Sequence, residues 1–319
     1  MKKYGLIAAV FVFSLAAGGA HAQQSYPTKP IRLIVPFPAG GQTDVVARTI
    51  ALKLAEAFGQ TVVVDNRPGA AGSIGVELAL KSAADGYTML QISTSYAANV
   101  ALYKLAYDPV KDVEPVVMIG EIANMVTVNP TGPFKSVKEL IGYAKANPGK
   151  INFASGGTGS GNHLSTEEFA QMAGIKMTHV PYKGSTAGVT DLMSGQIQLI
   201  FSGITGMLAH HKAKRVLGIA VTSAKRNRAA PDLPAVAETI PGFESVSWSA
   251  IIAPKGTPRH VIARWNTELN RILKTPDVQA RMDAIGLDVS GGTADQMRKI
   301  LIHDIEKWKR VVKTANIQL

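Results

Sequence analysis

The chain has 319 residues, 46% apolar and 18% charged, with a formal net charge of +11 and no cysteine. That balance excludes a disordered chain, and the missing cysteines exclude disulfides, thiolate metal sites and a cysteine nucleophile together. The basic excess suits an anionic partner. The densest runs, Lys212-Ala213-Lys214-Arg215 and Lys225-Arg226-Asn227-Arg228, hold no interleaved aromatic residue, which argues for solvated faces and against nucleic acid.

The first element in chain order is a leader. Lys2-Lys3 precedes an apolar run over 6–17, then Gly18-Gly19 and the small-residue pattern Ala20-His21-Ala22. This is the signature of a cleaved secretory signal, with the cut predicted after Ala22. The alternative is a retained anchor, but the run is short for a bilayer. It predicts export to a periplasm with no membrane insertion after cleavage. The mature chain then has 297 residues and a net charge of +9, a length typical of two lobes.

Strand and helix signals alternate from there. A buried-type strand is expected at 31–35 and a helix at 44–58, where Val46, Ile50, Leu54 and Phe58 recur every four positions before Gly59. A strand at 61–64, a glycine-rich turn at 67–72, a helix at 73–82 and a strand at 88–92 complete a βαβαβ start. A second series begins near Met118. It has a helix at 136–146, a strand at 151–154, a glycine loop and a helix through about Ala173, then strands near 177–180, 197–201 and 216–221. A further strand is read at 248–253. The final helix carries Met297, Leu301, Ile305, Trp308 and Val312 on one stripe, which reads as core. The fold class expected is α/β, two lobes each built on a mainly parallel sheet flanked by helices, with the tail packing back on the first lobe.

Two loops lie between a strand's C-terminal end and a helix's N-terminus: 36–44 and 155–163. That edge is where open α/β sheets bind ligands. Glycine admits close backbone approach, and helix N-termini suit anions. With hydroxyls from Thr43, Ser155, Thr158 and Ser160, the two loops could hold a carboxylate without lysine or arginine. The other reading is a pair of tight turns, with Asp44 capping its own helix. Neither loop has a phosphate-binding or dinucleotide fingerprint, and no G-x-S-x-G is present. His163 and Glu167 are four apart without a third ligand at a recognisable spacing, so no metal is expected.

Several stretches in order resemble one family across essentially the whole mature chain. They are Pro36-Phe37-Pro38-Ala39-Gly40-Gly41-Gln42-Thr43-Asp44, Asp65-Asn66-Arg67-Pro68-Gly69-Ala70-Ala71-Gly72, Tyr107-Asp108-Pro109, Thr158-Gly159-Ser160-Gly161-Asn162-His163, Val180-Pro181-Tyr182-Lys183-Gly184 and Ala220-Val221-Thr222-Ser223. Together they resemble the Bug (TctC-like) substrate-binding receptors of tripartite tricarboxylate transporters. The resemblance implies a type II periplasmic binding protein fold that closes on a small carboxylate held by the two glycine loops. It maps ligand contacts onto Phe37, Gly40, Gly41, Thr43 and Asp44, and onto Ser155, Thr158, Gly159 and His163. A loop at 93–99, beginning with Ser93, would add side chains at the ligand's far end. Two positions depart from the family pattern. Ala39 replaces a frequent proline, and Ser202-Gly203 stands where Asp-Asn is common. The neutral Ser202 points to a dicarboxylate or an aromatic acid rather than an amino acid.

The function expected is a catalytically inert, monomeric receptor without cofactor. It would capture a small organic carboxylate between its lobes, 23–124 with 250–319 and 125–249, and deliver it to transporter subunits in the membrane. The lobe-crossing strands are expected near 121–128 and 247–253. The alternatives are a periplasmic protein that presents the same ligand to a sensor, and an exported hydrolase using His163 with a serine.

Overall fold

A computed structural model describes residues 26–182 and 185–319. The expected leader and its cut after Ala22, and Lys183-Gly184 of one family stretch, lie outside the described residues.

Strand β1 (Ile31–Val35) alternates its side chains between two cores, as the period of two in an extended chain requires. Leu33 and Val35 pack with α1 (Gln42–Phe58), α8 (Arg259–Ile272) and α9 (Pro276–Ala284). Ile34 points the other way, into a core shared with α2 (Ser73–Leu80), α3 (Thr94–Leu102) and α10 (Ala294–Thr314). Helix α1 stops at Gly59, whose φ of 64° is left-handed and whose N–H donates to Ala55 O at 3.0 Å. Thr293 and Gln296 cap α10 reciprocally. The stripe Met297, Leu301, Ile305, Trp308 and Val312 is buried in the core that Ile34 and β3 (Thr88–Ser93) share with α3, and α10 lies against α3 and β4 (Val113–Val128).

One curled, mixed sheet runs through the molecule. Its order is β2 (Val62–Asn66), β1, β3, β9 (Val246–Pro254), β4 (Val113–Val128), β7 (Leu199–Gly203), β5 (Asn152–Ser155), β6 (Thr178–Pro181). The trio β2-β1-β3 is parallel, as is β7-β5-β6, while β4 and β9 run antiparallel to their neighbours. Strand β4 serves both halves. Residues 113–123 pair with β9, and Gly120-Glu121 also pair with β10 (Asp288–Val289). Residues 124–128 pair with β7, and 125–128 with β8 (Leu217–Val221). Register shifts after Pro115, Met118 and Val126 twist the strand locally, as bulges do.

In the second half, Val126, Val128 and Phe153 face a core with α4 (Val137–Ala146) and α5 (Gly161–Ala173). Met125, Ala154 and Ile200 face one with α6 (Ser185–Ser194) and α7 (Ile204–Lys212).

Two expectations change. Residues 93–99 are not a loop. Ser93 is an extended N-cap, and α3 follows directly, burying Tyr96, Ala97 and Ala98. The lobe-crossing strand expected near 121–128 starts at Val113 and runs 16 residues, because both its faces are buried and only the bulges interrupt it. The second basic run is partly paired: Arg226 bonds Glu238, and Arg228 bridges Asp283 and Asp288.

Candidate functional site

The register of β4 brings two strand ends toward each other. Ser93, last in β3, pairs with Ser249 of β9, which in turn pairs with Gly120 of β4. Gly203, last in β7, pairs with Asn124. Strand β3 runs with β4 and β7 against it, so their C-terminal ends approach from opposite directions. Measured along β4 the two ends are offset by four residue steps, about 13 Å of extended chain. Helices α3 and α7 begin at once, at Thr94 and Ile204. Because β1 is parallel to β3 and β5 to β7, α1 and α5 start on the same two edges. Four helix N-termini therefore flank residues 120–124, and each favours negative charge by roughly 0.3–1 kcal/mol.

The first loop is held from beneath. Asp44, 2% exposed, accepts the Gly40 N–H at 2.8 Å and Arg48 Nε at 2.9 Å on Oδ2, and Asn66 Nδ2 at 2.9 Å on Oδ1. Burial alone would raise this carboxyl, but the donors outweigh it and hold it below the usual range. Asn66 Nδ2 also reaches Phe37 O at 3.1 Å. Gly40 has a φ of 79°, a backbone state glycine adopts freely. The glycine-rich turn at 67–72 leads into α2, which packs directly under Pro36. A Cβ at Gly75 would lie 2.7 Å from Arg67 O and 2.9 Å from Pro36 Cα. Gln91, wholly buried, ties Thr43 O (3.1 Å) to Ser249 Oγ (2.7 Å) and so pins the start of α1 to β3 and β9.

The second loop is also self-braced. Ser155 is fully buried; its Oγ accepts the Gly157 N–H at 3.1 Å and lies 2.6 Å from His179 Nε2 on β6. The Gly156 N–H donates to Asn162 Oδ1 at 3.1 Å, and the Gly159 N–H to His163 Nδ1 at 3.0 Å. Neutral His163 thus carries its proton on Nε2, 3.8 Å from Glu167 Oε1. Its ring, 3% exposed, stacks on His179 with centroids 3.7 Å apart and planes 12° from parallel. Burial, with His179 adding to it, pushes His163 down to about 4. Gly159 sits against Leu102 at the end of α3, where a Cβ would fall 2.9 Å from Leu102 Cδ1.

The eleven residues expected from the sequence thus fall into three places. Phe37, Gly40, Gly41, Thr43 and Asp44 gather at the start of α1, and Ser155, Thr158, Gly159 and His163 at the start of α5. Ser93 and Ser202 stand at the two strand ends beside residues 120–124. Gly40, Gly41 and Thr158 are exposed; Phe37, Thr43, Ser93 and Ser202 are half-buried. Asp44, Ser155 and His163 lie under their loops and bond loop partners. Sequence reasoning missed Gln91, Asn66 and His179. A glutamine inside the apolar run Met89-Leu90-Gln91-Ile92 was a usable signal, since a buried amide demands partners. His179 offered none.

Cavities of 390, 260 and 450 Å³ open elsewhere, beside Arg32 and Val63, beside Arg228 and Asp288, and beside Glu121 and Lys299. None is lined by the eleven residues. Among the described residues no group of three or more His, Asp or Glu could hold a metal ion, and no helix is long and apolar enough to cross a membrane.

The family model described as "Tripartite tricarboxylate transporter family receptor" matches residues 46–317. Protein BugT of Bordetella pertussis (strain Tohama I) is 37% identical, with all of both chains covered. The solved structure of R. palustris Rpa4515 with adipate is 36% identical with a TM-score of 0.77, covering 92% of this chain and 99% of that one. MatC from Rhodopseudomonas palustris with bound malate is 28% identical with a TM-score of 0.73, covering 90% of this chain and all of the other. With its motifs, its fold and nearly its full length in agreement, this chain belongs to the tripartite tricarboxylate transporter receptors, periplasmic solute-binding proteins rather than enzymes.

Proposed function

We propose that this protein captures a small organic carboxylate between two lobes and delivers it to a tripartite tricarboxylate-type membrane transporter. The lobes are residues 23–124 with 250–319, and 125–249. The protein acts as a monomer, closes on its ligand about the strands that link the lobes, and presents the closed form to its membrane partner. The observation that carries this reading is the approach of the β3 and β7 ends over residues 120–124, with four helix N-termini around them.

In this reading Phe37, Gly40, Gly41, Thr43, Ser93, Thr158 and Ser202 meet the ligand. Asp44, Ser155, Gly159 and His163 keep the two loops in shape. The ligand is a dicarboxylate: each set of helix ends suits one negative group, and Ser202 is neutral. Adipate and malate in the related structures are of that class.

Isothermal titration calorimetry of the folded protein with adipate, malate, benzoate and acetate tests the proposal. Dicarboxylates should bind with a dissociation constant on the order of micromolar, about −8 kcal/mol. Silence from the whole panel would sink it.

A further inference from the structure

The second loop rests on a side chain that belongs to neither the loop nor its helix. His179 lies on β6, whose residues 178–181 pair in parallel register with 152–155 of β5, so Phe153 stands opposite His179. The Phe153 ring flanks His179 at 5.0 Å and His163 at 6.0 Å, and the two imidazoles stack on each other. From that position His179 reaches both ends of the loop. Its Nε2 is 2.6 Å from Ser155 Oγ, which in turn accepts the Gly157 N–H. Its face supports His163, whose Nδ1 accepts the Gly159 N–H. Gly157 and Gly159 have φ values of 129° and 76°, backbone states that glycine adopts freely and that these bonds, together with those of Ser160 Oγ and Ser155 Oγ to Gly157 O, help select.

We propose that His179 is a positioning residue for ligand capture. Through Ser155 it fixes Gly157, and through His163 it fixes Gly159, so that Thr158 between them is presented in one geometry. The claim concerns the hydrogen bond to Ser155 as distinct from the mere presence of a flat ring. It rests on the carboxylate-binding reading for its effect on affinity, but not for its effect on the loop.

Two substitutions separate bond from ring. His179→Phe keeps a plate for His163 and removes the imidazole partner of Ser155 Oγ, which is left with Gly157 N–H and O alone. His179→Gln sets an amide near the place of Nε2, where it can donate to or accept from Ser155 Oγ, and removes the ring. Both variants and the parent are first compared by thermal unfolding, so that only folded protein is read. In ligand-free protein, amide hydrogen exchange at Gly157 and Gly159 is then measured by NMR. His179→Phe should speed exchange at Gly157 by about tenfold, the loss of roughly one hydrogen bond, while His179→Gln should hold Gly157 near the parent rate. Titration with adipate should show the same order, with affinity about tenfold weaker in His179→Phe and within about threefold of the parent in His179→Gln.

Equal exchange at Gly157 in all three proteins would overturn the proposal, as would an equal rise in both variants, which would assign the role to the ring. If the parent binds no carboxylate, the receptor reading fails, while the exchange data still decide the role of His179.

Discussion

Lys307 of α10 and Glu168 of α5 form an ion pair at 3.0 Å with both side chains nearly buried, 13% and 11% exposed. Helix α10 packs on the first half of the sheet and α5 on the second, so this pair ties the two halves beside the start of β9. Lys307 Nζ also donates to Glu244 O at 2.6 Å and lies 4.7 Å over the Trp308 ring. Glu168 is pushed above the usual carboxylate range by burial, a cost that Lys307 only partly offsets. Breaking a buried pair from one side strands the remaining charge and costs about 3–5 kcal/mol, whereas replacing both by apolar groups is often near neutral. Lys307→Met should therefore destabilise by several kcal/mol and Glu168→Leu/Lys307→Met by much less. Urea denaturation of the three proteins checks this, and a double variant as weak as the single one would refute it.

Acid should loosen the second loop in a defined window. His163 titrates at about 6.5 when unfolded and is pushed down to about 4 when folded. A depressed histidine contributes stability that is fully present above pH 6.5 and is lost progressively as pH falls toward 4, because the unfolded chain takes up the proton first. The shift corresponds to about 3 kcal/mol at most. His163→Asn presents an oxygen near the place of Nδ1, so it can still accept the Gly159 N–H, and it does not titrate. Unfolding free energy measured between pH 7.5 and 4.5 should fall less steeply in His163→Asn than in the parent. Parallel curves would show that His163 does not set the acid limit.

Two glycines with opposite surroundings make a paired test of the first loop's support. A methyl at Gly75 would press on the backbone of Arg67 and Pro36, and overpacking of this kind costs about 1–3 kcal/mol. Gly142, in the middle of α4, has nothing within 4 Å of its added carbon. Gly142→Ala should stabilise the protein by up to about 1 kcal/mol through helix propensity alone. Gly75→Ala should lower the melting temperature and also weaken adipate binding, since Pro36 begins the loop; Gly142→Ala should leave affinity unchanged. Both are read by differential scanning calorimetry and titration.

Much of this protein was determined by residues close in sequence. The four-residue spacing from Val46 to Phe58 and the stripe from Met297 to Val312 selected helices and their buried faces. Gly59 marked a helix end, and the alternation of strands and helices set the α/β class. Such features are local, so periodicity and turn chemistry record them. The glycine loops marked where ligand chemistry belongs, for the same reason. Tertiary structure decided the rest. Ser155 meets His179 across 24 residues and Gln91 meets Ser249 across 158, and no spacing rule connects either pair. The sequence marks a strand only near 121–128, yet the register of the full strand 113–128 with β9 and β7 is what sets the offset between the two helix-lined edges. Partners are local in space but distant in the chain, and only the packed sheet brings them within hydrogen-bond reach.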